Sequence, residues 1–151
     1  MKLTHAENLI DKYNVAGPRY TSYPTVPFWN LENFDTQKWQ HGLQSFGKKE
    51  IVENGLSLYI HLPYCESLCT FCACHKRITK NHSVEGSYID ALLAEWQIYL
   101  DILGTTPCIK EIHLGGGTPS FFSADNLKRL LTGILKDAHV SENQAFSFEG
   151  H

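Results

Sequence analysis

The sequence predicts an α/β fold, a parallel sheet whose chemistry gathers at the C-terminal ends of its strands. Three observations carry this. First, Leu56–Leu62 alternates: Leu56, Leu58, Ile60 and Leu62 point one way, Ser57, Tyr59 and His61 the other, the two-residue period of a strand. Second, two more alternating runs, Ile109–Leu114 and Ala145–Glu149, follow with a helical pattern before each, so the order is β-α-β-α-β. Connections of that length imply parallel strands and right-handed crossovers. Third, the face opposite the apolar one holds Tyr59, His61, Glu111, His113, Ser147 and Glu149. A doubly wound sheet is apolar on both faces. A polar face predicts instead a barrel whose lumen takes a polar ligand, with active groups at the C-terminal strand ends.

From the N-terminus, Thr4 to Tyr13 reads as a short helix with Thr4 as N-cap. VAGPRYTSYPTVPFW follows. Pro18, Pro24 and Pro27 make it an extended strap, because proline fixes φ and biases its predecessor away from helix. Its aromatics, Tyr20, Tyr23, Phe28 and Trp29, serve either to pack it on the domain surface or to line a ligand site. Asp35 to Phe46 reads as a second helix, capped by Asp35, with Trp39, Leu43 and Phe46 on one stripe. Gly47 stops it, and the polar GKKEIVENG leads to the first strand. The next helix runs from Val84 to Leu103, with Ser83 or Ser87 as its cap. Ile89, Leu92, Leu93, Trp96, Leu100 and Leu103 form its apolar stripe, and Gly104 and Pro107 end it. In the second strand Ile112 and Leu114 oppose Glu111 and His113. GGGTP then turns into a helix capped by Ser123 and carrying Leu127, Leu130, Leu131 and Ile134. In the third strand Phe146 and Phe148 oppose Ser147 and Glu149. The chain divides into an N-terminal segment, residues 1–55, and a sheet unit, residues 56–151.

With 151 residues, 42% hydrophobic and 19% charged, the chain predicts a folded domain with a real core. A net charge of −3 argues against a nucleic-acid partner held by bulk electrostatics. MKLTHAENLI lacks the order of a signal peptide, and no apolar run approaches the ~20 residues of a membrane span. Clustered thiols without an export signal predict a cytoplasmic protein.

The densest chemistry is CESLCTFCAC, residues 65–74, which holds four of the five cysteines. Cys65, Cys69 and Cys72 stand in a C-x3-C-x2-C spacing, with Cys74 two residues on. Thiolates are soft ligands for iron and zinc, and three on one tight loop can hold three corners of a cluster. A fourth iron then stays open to a small molecule, as catalytic metal sites keep an open position. Zinc knuckles need a second pair further along, where only Cys108 and scattered histidines remain. Ferredoxins place their fourth cysteine further off than Cys74. An odd cysteine count fits disulfides poorly. Cys74 is either a thiol beside the cluster or a small buried side chain, and Cys108 reads as core.

YIHLPYCESLCTFCAC resembles the cluster loop of the radical S-adenosylmethionine enzymes. Cys74, Phe71 before Cys72, GPRYTSYPT (Gly17–Thr25) and LGGGTPSF (Leu114–Phe121) narrow the resemblance to the oxygen-independent coproporphyrinogen III oxidases of haem biosynthesis, from about Ile10 to Glu149. That family has a core of six βα units. The resemblance therefore implies an α/β chain forming the first half of an open (βα)6 partial TIM barrel, preceded by a helical and strap segment. The chain is expected to be an N-terminal fragment of a longer protein. The family implies that Cys65, Cys69 and Cys72 hold a 4Fe–4S cluster whose open iron takes the amino and carboxylate groups of S-adenosylmethionine. An electron entering the sulfonium leaves methionine and a 5′-deoxyadenosyl radical. Two propionates of coproporphyrinogen III then become vinyls, giving protoporphyrinogen IX. A porphyrinogen substrate, an electron donor and an electron acceptor are the implied partners, in a protein that is monomeric at full length. The haem-chaperone branch of the same fold typically lacks GPRYTSYPT and the cysteine at position 74, both present here. A non-enzymatic zinc module is the reading from outside the family.

Gly115, Gly116 and Gly117 with Thr118 and Pro119 form either a tight turn or a concave nest of N–H groups for an anion. The resemblance makes this the loop that meets the methionine carboxylate and amine, through Gly116, Gly117 and Thr118. Tyr59 on residue chemistry alone packs in the lumen; the resemblance makes it a contact to S-adenosylmethionine, with the backbone of Phe71 on the adenine. Glu149 alone is an exposed strand-end acid; the resemblance makes it a further cofactor contact. His61 and His113 point inward with no role assigned. Arg19 and Tyr20 are candidate contacts to substrate propionates, since a guanidinium forks onto a carboxylate.

Overall fold

The computed structural model describes residues 9, 11–14, 28–29, 34–46, 50–51 and 54–150. The chain forms two units, Met1–Asp35 and Thr36–His151. In the first, Leu9 and residues 11–13 are helical. The GPRYTSYPT strap, with Arg19 and Tyr20, lies outside the described residues.

The second unit begins with helix α1 (Thr36–Phe46). It belongs with the sheet because Trp39 packs edge-on against Tyr99, centroids 6.1 Å apart. The polar connector after it is less polar in effect than its composition: Glu50 and Ile51 are helical, and Ile51 is 1% exposed. Strand β1 (Leu56–Leu62) occupies the predicted residues. A short parallel pair, β2 (Tyr64–Cys65) and β3 (Arg77–Ile78), follows and was not predicted. Then come helix α2 (Val84–Leu103), strand β4 (Cys108–Gly116), a 3-10 turn at Pro119–Phe121, helix α3 (Ala124–Leu135) and strand β5 (His139–Phe148).

The main sheet has the order β1-β4-β5, with both pairings parallel. Register sorts the side chains. Leu58, Ile112 and Phe146 lie in one row across the strands, and Ile60, Leu114 and Phe148 in another. Tyr59, His113 and Ser147 form the row between them, on the opposite face because strand side chains alternate. Both pairings skip Lys110, and this bulge lets Ile109 and Ile112 both face the core. The core joins Ile60, Leu62 and Leu114 of the sheet to Ile89 and Trp96 of α2 and Leu130 and Ile134 of α3. The helices meet closely where a Cβ on Gly133 would lie 2.5 Å from Leu93 Cδ2. On β5 the apolar row is only partly covered: Phe146 is 55% and Phe148 42% exposed. No helix among the described residues is long and apolar enough to cross a membrane.

The start of α2 departs from the sequence reading, and the expected Thr4 cap and Gly47 stop lie outside the described residues. Ser83 takes the N-cap position of α2 without a side-chain cap, and the Ser87 hydroxyl donates to Val84 O within the helix. Asn81 Oδ1 accepts from Ser83 N instead. Gly104 closes α2 in the left-handed region, φ 62°, its N–H donating to Leu100 O. Ser123 caps α3 as predicted, accepting from Asn126 N. That same helix start receives a carboxylate from its neighbour. Glu85, 3% exposed, accepts from Ser123 N and Asn126 Nδ2, each at 2.8 Å. A buried charge needs such partners, and the positive end of a helix favours an anion there.

Burial pushes the Glu85 carboxyl up, but the Ser123 N–H, the Asn126 amide and His82 outweigh it and hold it down at about 2, from an ordinary 4.5. A carboxyl depressed by folding stabilises the fold fully above its unfolded pKa and loses that contribution as pH falls through the folded value. Urea unfolding between pH 5 and pH 2 should therefore show Glu85 contributing on the order of 3 kcal/mol at the upper end. The stability difference between the native chain and Glu85→Gln should shrink as the pH drops; a difference independent of pH would rule this contribution out.

Candidate functional site

The three segments singled out by sequence all leave the C-terminal ends of parallel strands. Residues 65–74 follow β1, the glycine turn ends β4, and Glu149 follows β5. On the polar face, the Tyr59 and His113 rings stack at 5.3 Å between centroids, 14° from parallel. His113 Nδ1 meets Ser147 Oγ at 2.6 Å, and His113 Nε2–H donates to Glu149 Oε1 at 3.0 Å. Glu149 Oε2 accepts from Gly116 N, also at 3.0 Å. His61 donates through Nε2 to His75 O at 2.8 Å, which leaves Nδ1 to accept from Tyr59 Oη at 3.4 Å. The hydrogen bond from His113, joined by the Gly116 N–H, holds the Glu149 carboxyl below its usual range. Burial and the nearby Glu149 push the Tyr59 hydroxyl up.

All five cysteines are free thiols; Cys65 is buried, Cys69 and Cys72 half-buried and Cys74 exposed. The loop is tied by its backbone. Arg77 N donates to Pro63 O and Thr79 N to Cys65 O, and Cys72 N closes a turn onto Cys69 O. Among the described residues no three His, Cys, Asp or Glu side chains converge on a single ion. A four-iron cluster takes one thiolate per iron rather than a common point. Three thiols on a loop pinned at both ends fit that demand. Cys108, half-buried at the start of β4, lies at the opposite end of the strand.

The glycine turn begins inside the sheet, where Gly115 and Gly116 pair with His61 and Leu62. Each glycine is closely approached by the protein's own atoms, flexible side chains at Gly115 and Gly116 and backbone at Gly117. A Cβ on Gly115 would lie 2.7 Å from Glu149 Oε1, on Gly116 2.5 Å from His61 Nδ1, and on Gly117 2.6 Å from the Pro63 backbone. Gly116 also has φ 112°, which strains any other residue. The expected nest of free N–H groups is engaged. Gly117 N donates to Leu62 O and Thr118 N to Tyr64 O, and Gly116 N holds Glu149. The Thr118 hydroxyl donates to Cys65 Sγ at 3.2 Å, joining the glycine turn to the cysteine loop. Phe71 is 88% exposed on that loop and Tyr59 59% exposed on the sheet.

The structure thus brings together Tyr59, Gly116 and Glu149 on one side, and Thr118 and Cys65 on the other. His113 and Ser147 complete the first group, and strand alternation already placed them on that face. The Thr118–Cys65 contact spans 53 positions and has no local signal. A groove of about 410 Å3 runs along β1, lined by Tyr59 and His61 as well as by Leu43, Ile51, Leu92 and Trp96, and is largely apolar.

No family model matches the chain. An oxygen-independent coproporphyrinogen III oxidase from Mannheimia haemolytica is 37% identical over 142 residues, covering 93% of this chain and 92% of that sequence. The chain belongs to the oxygen-independent coproporphyrinogen III oxidase family. Relatives of the same name from Pseudomonas aeruginosa and Escherichia coli K12 are 37% and 34% identical over 138 and 141 residues. The chain spans 29% of the length of each of these two. A solved structure of coproporphyrinogen III oxidase from Escherichia coli, a radical SAM enzyme, superimposes with a TM-score of 0.74 at 28% identity. It covers 95% of this chain and 30% of that one. The oxidase fold accounts for the parallel α/β layout found here.

The glycine geometry gives a direct test. In Gly117→Ala the new methyl meets backbone that cannot swing aside, so urea unfolding should show a loss of about 1–3 kcal/mol. Gly86→Ala, where the added Cβ meets nothing within 4 Å, should leave stability unchanged or raise it by up to about 1 kcal/mol. Equal effects at the two positions would contradict the packing described.

Proposed function

We propose that this chain carries the cluster-binding and part of the cofactor-binding surface of an oxygen-independent coproporphyrinogen III oxidase, which converts two propionates of coproporphyrinogen III to vinyls in haem biosynthesis. The observation that carries the reading is the pinned three-thiol loop at the end of β1, bonded through Cys65 to Thr118 of the glycine turn. Cys65, Cys69 and Cys72 are the ligands of a 4Fe–4S cluster. When bound, that cluster with S-adenosylmethionine supplies the electron and the carbon radical that removes hydrogen from a propionate side chain.

The chain's own residues bind and orient. Gly116 N–H already holds a carboxylate, that of Glu149, and is suited to a ligand carboxylate once Glu149 turns away. Glu149, freed of that bond, accepts from an amine or ribose hydroxyl. Tyr59, braced on His113, presents an aromatic face to the ligand, and the Phe71 backbone lies on the same loop as the cluster ligands. The porphyrinogen, an electron donor and an electron acceptor are the partners, and the cytoplasm is the compartment.

Anaerobic reconstitution with iron and sulfide tests the ligand set. Cys65→Ser, Cys69→Ser and Cys72→Ser should each lose the cluster, because a hydroxyl is a harder and less acidic ligand. Cys74→Ser should keep its iron and sulfide; loss there with retention in Cys72→Ser would reverse the assignment. Even loaded, this 151-residue chain should give no vinyl porphyrin from coproporphyrinogen III, dithionite and S-adenosylmethionine. Tyr59 and Phe71 stand open to solvent, and a carbon radical needs a closed, positioned site. Product formation by this chain would show that the exposed face suffices.

A further inference from the structure

Glu85 and His82 belong to neither the cysteine loop nor the glycine turn, yet they connect the two. His82 sits just before α2, with Nδ1 2.7 Å from Glu85 Oε1 and Nε2 3.2 Å from Glu66 Oε1. Glu66 is the residue after Cys65. The His82 ring also stacks on Phe121, centroids 4.3 Å apart and 13° from parallel. Phe121 ends the 3-10 turn that follows Thr118 and is 5% exposed. One imidazole therefore touches the cysteine loop, the turn after the glycines and the start of α2. Its two ring nitrogens both face carboxylates, and the ring donates to both when it carries both protons. The geometry is anchored at depth, because Glu85 is fixed by Ser123 N and Asn126 Nδ2. The hydrogen bond to Glu85 raises the affinity of His82 for its proton.

We infer that His82, held by buried Glu85, is a positioning residue that clamps Glu66 and the cysteine loop against the turn carrying Thr118, and so keeps Cys65 beside the Thr118 hydroxyl. This rests on the reading of residues 65–74 as a cluster loop. The clamp itself is a property of the metal-free chain. Breaking it should free Cys65 without loosening the far end of the sheet, where Cys108 lies.

The test is alkylation of the metal-free chain with iodoacetamide, followed residue by residue by mass spectrometry. In His82→Ala and in Glu66→Ala, Cys65 should react about tenfold faster than in the native chain, while Cys108 keeps its rate. Glu66→Gln retains an acceptor for the ring and should return Cys65 to within about twofold of the native rate. A native Cys65 rate in His82→Ala would overturn the clamp. A parallel rise at Cys65 and Cys108 would also overturn it, because that pattern marks general destabilisation. Reconstitution with iron and sulfide separates the two readings. A native chain that takes up neither overturns the cluster reading, and the Cys65-to-Cys108 comparison still decides the clamp. If the cluster does form, His82→Ala should change its electron paramagnetic resonance signature, and an unchanged signature would remove the role toward the cluster.

Discussion

Parallel register across β1, β4 and β5 is the constraint on which the rest depends. Because the strands run the same way, their C-terminal ends coincide, and the segments that leave those ends are forced to be neighbours. A shift of one residue between β1 and β4 would move Tyr59 away from His113 and turn Leu58 and Ile60 toward solvent. The apolar rows under α2 and α3 therefore fix the polar row above them. Tyr59, His113 and Ser147 lie on the face opposite that apolar packing, yet the packing sets where those side chains stand.

Much of this layout is legible in the sequence because it rests on local rules. β1 and α2 occupy their predicted residues, one set by strict alternation and the other closed by Gly104. The misses have physical causes. β5 starts at His139 rather than at Ala145, because the register jumps between Val140 and Ala145 and hides the alternation. Ile51 is buried inside a run of charged residues, where composition points to solvent. β2 and β3 are too short to carry a period. In the site, the polar face was readable position by position, but which side chains bond was not. Glu85 reads in sequence as an ordinary acid in a first helical turn, and only the meeting of α2 with α3 makes it a buried anchor.

The glycines show how a motif that points to a ligand is also required by packing. A run of glycines suggests room for a ligand, and here that room is shared with His61, Glu149 and the Pro63 backbone. Close approach within the protein and close approach of a ligand require the same absence of a side chain. Glu149 already satisfies the Gly116 N–H, so under the proposed reading a ligand carboxylate would exchange one anion for another there.

The distance along the chain between Cys65 and Thr118 also sets an order of events. At roughly 5–20 residues per second, their 53-residue separation amounts to about 3–10 s of ribosomal synthesis. The thiol loop emerges first, and the two short strands that tie it, β2 and β3, are close in the chain. The threonine that later donates to the first sulfur arrives with the second long strand. For that interval the four thiols of residues 65–74 precede the hydroxyl that later donates to Cys65, so a reagent that binds or oxidises thiols meets Cys65 before folding buries it.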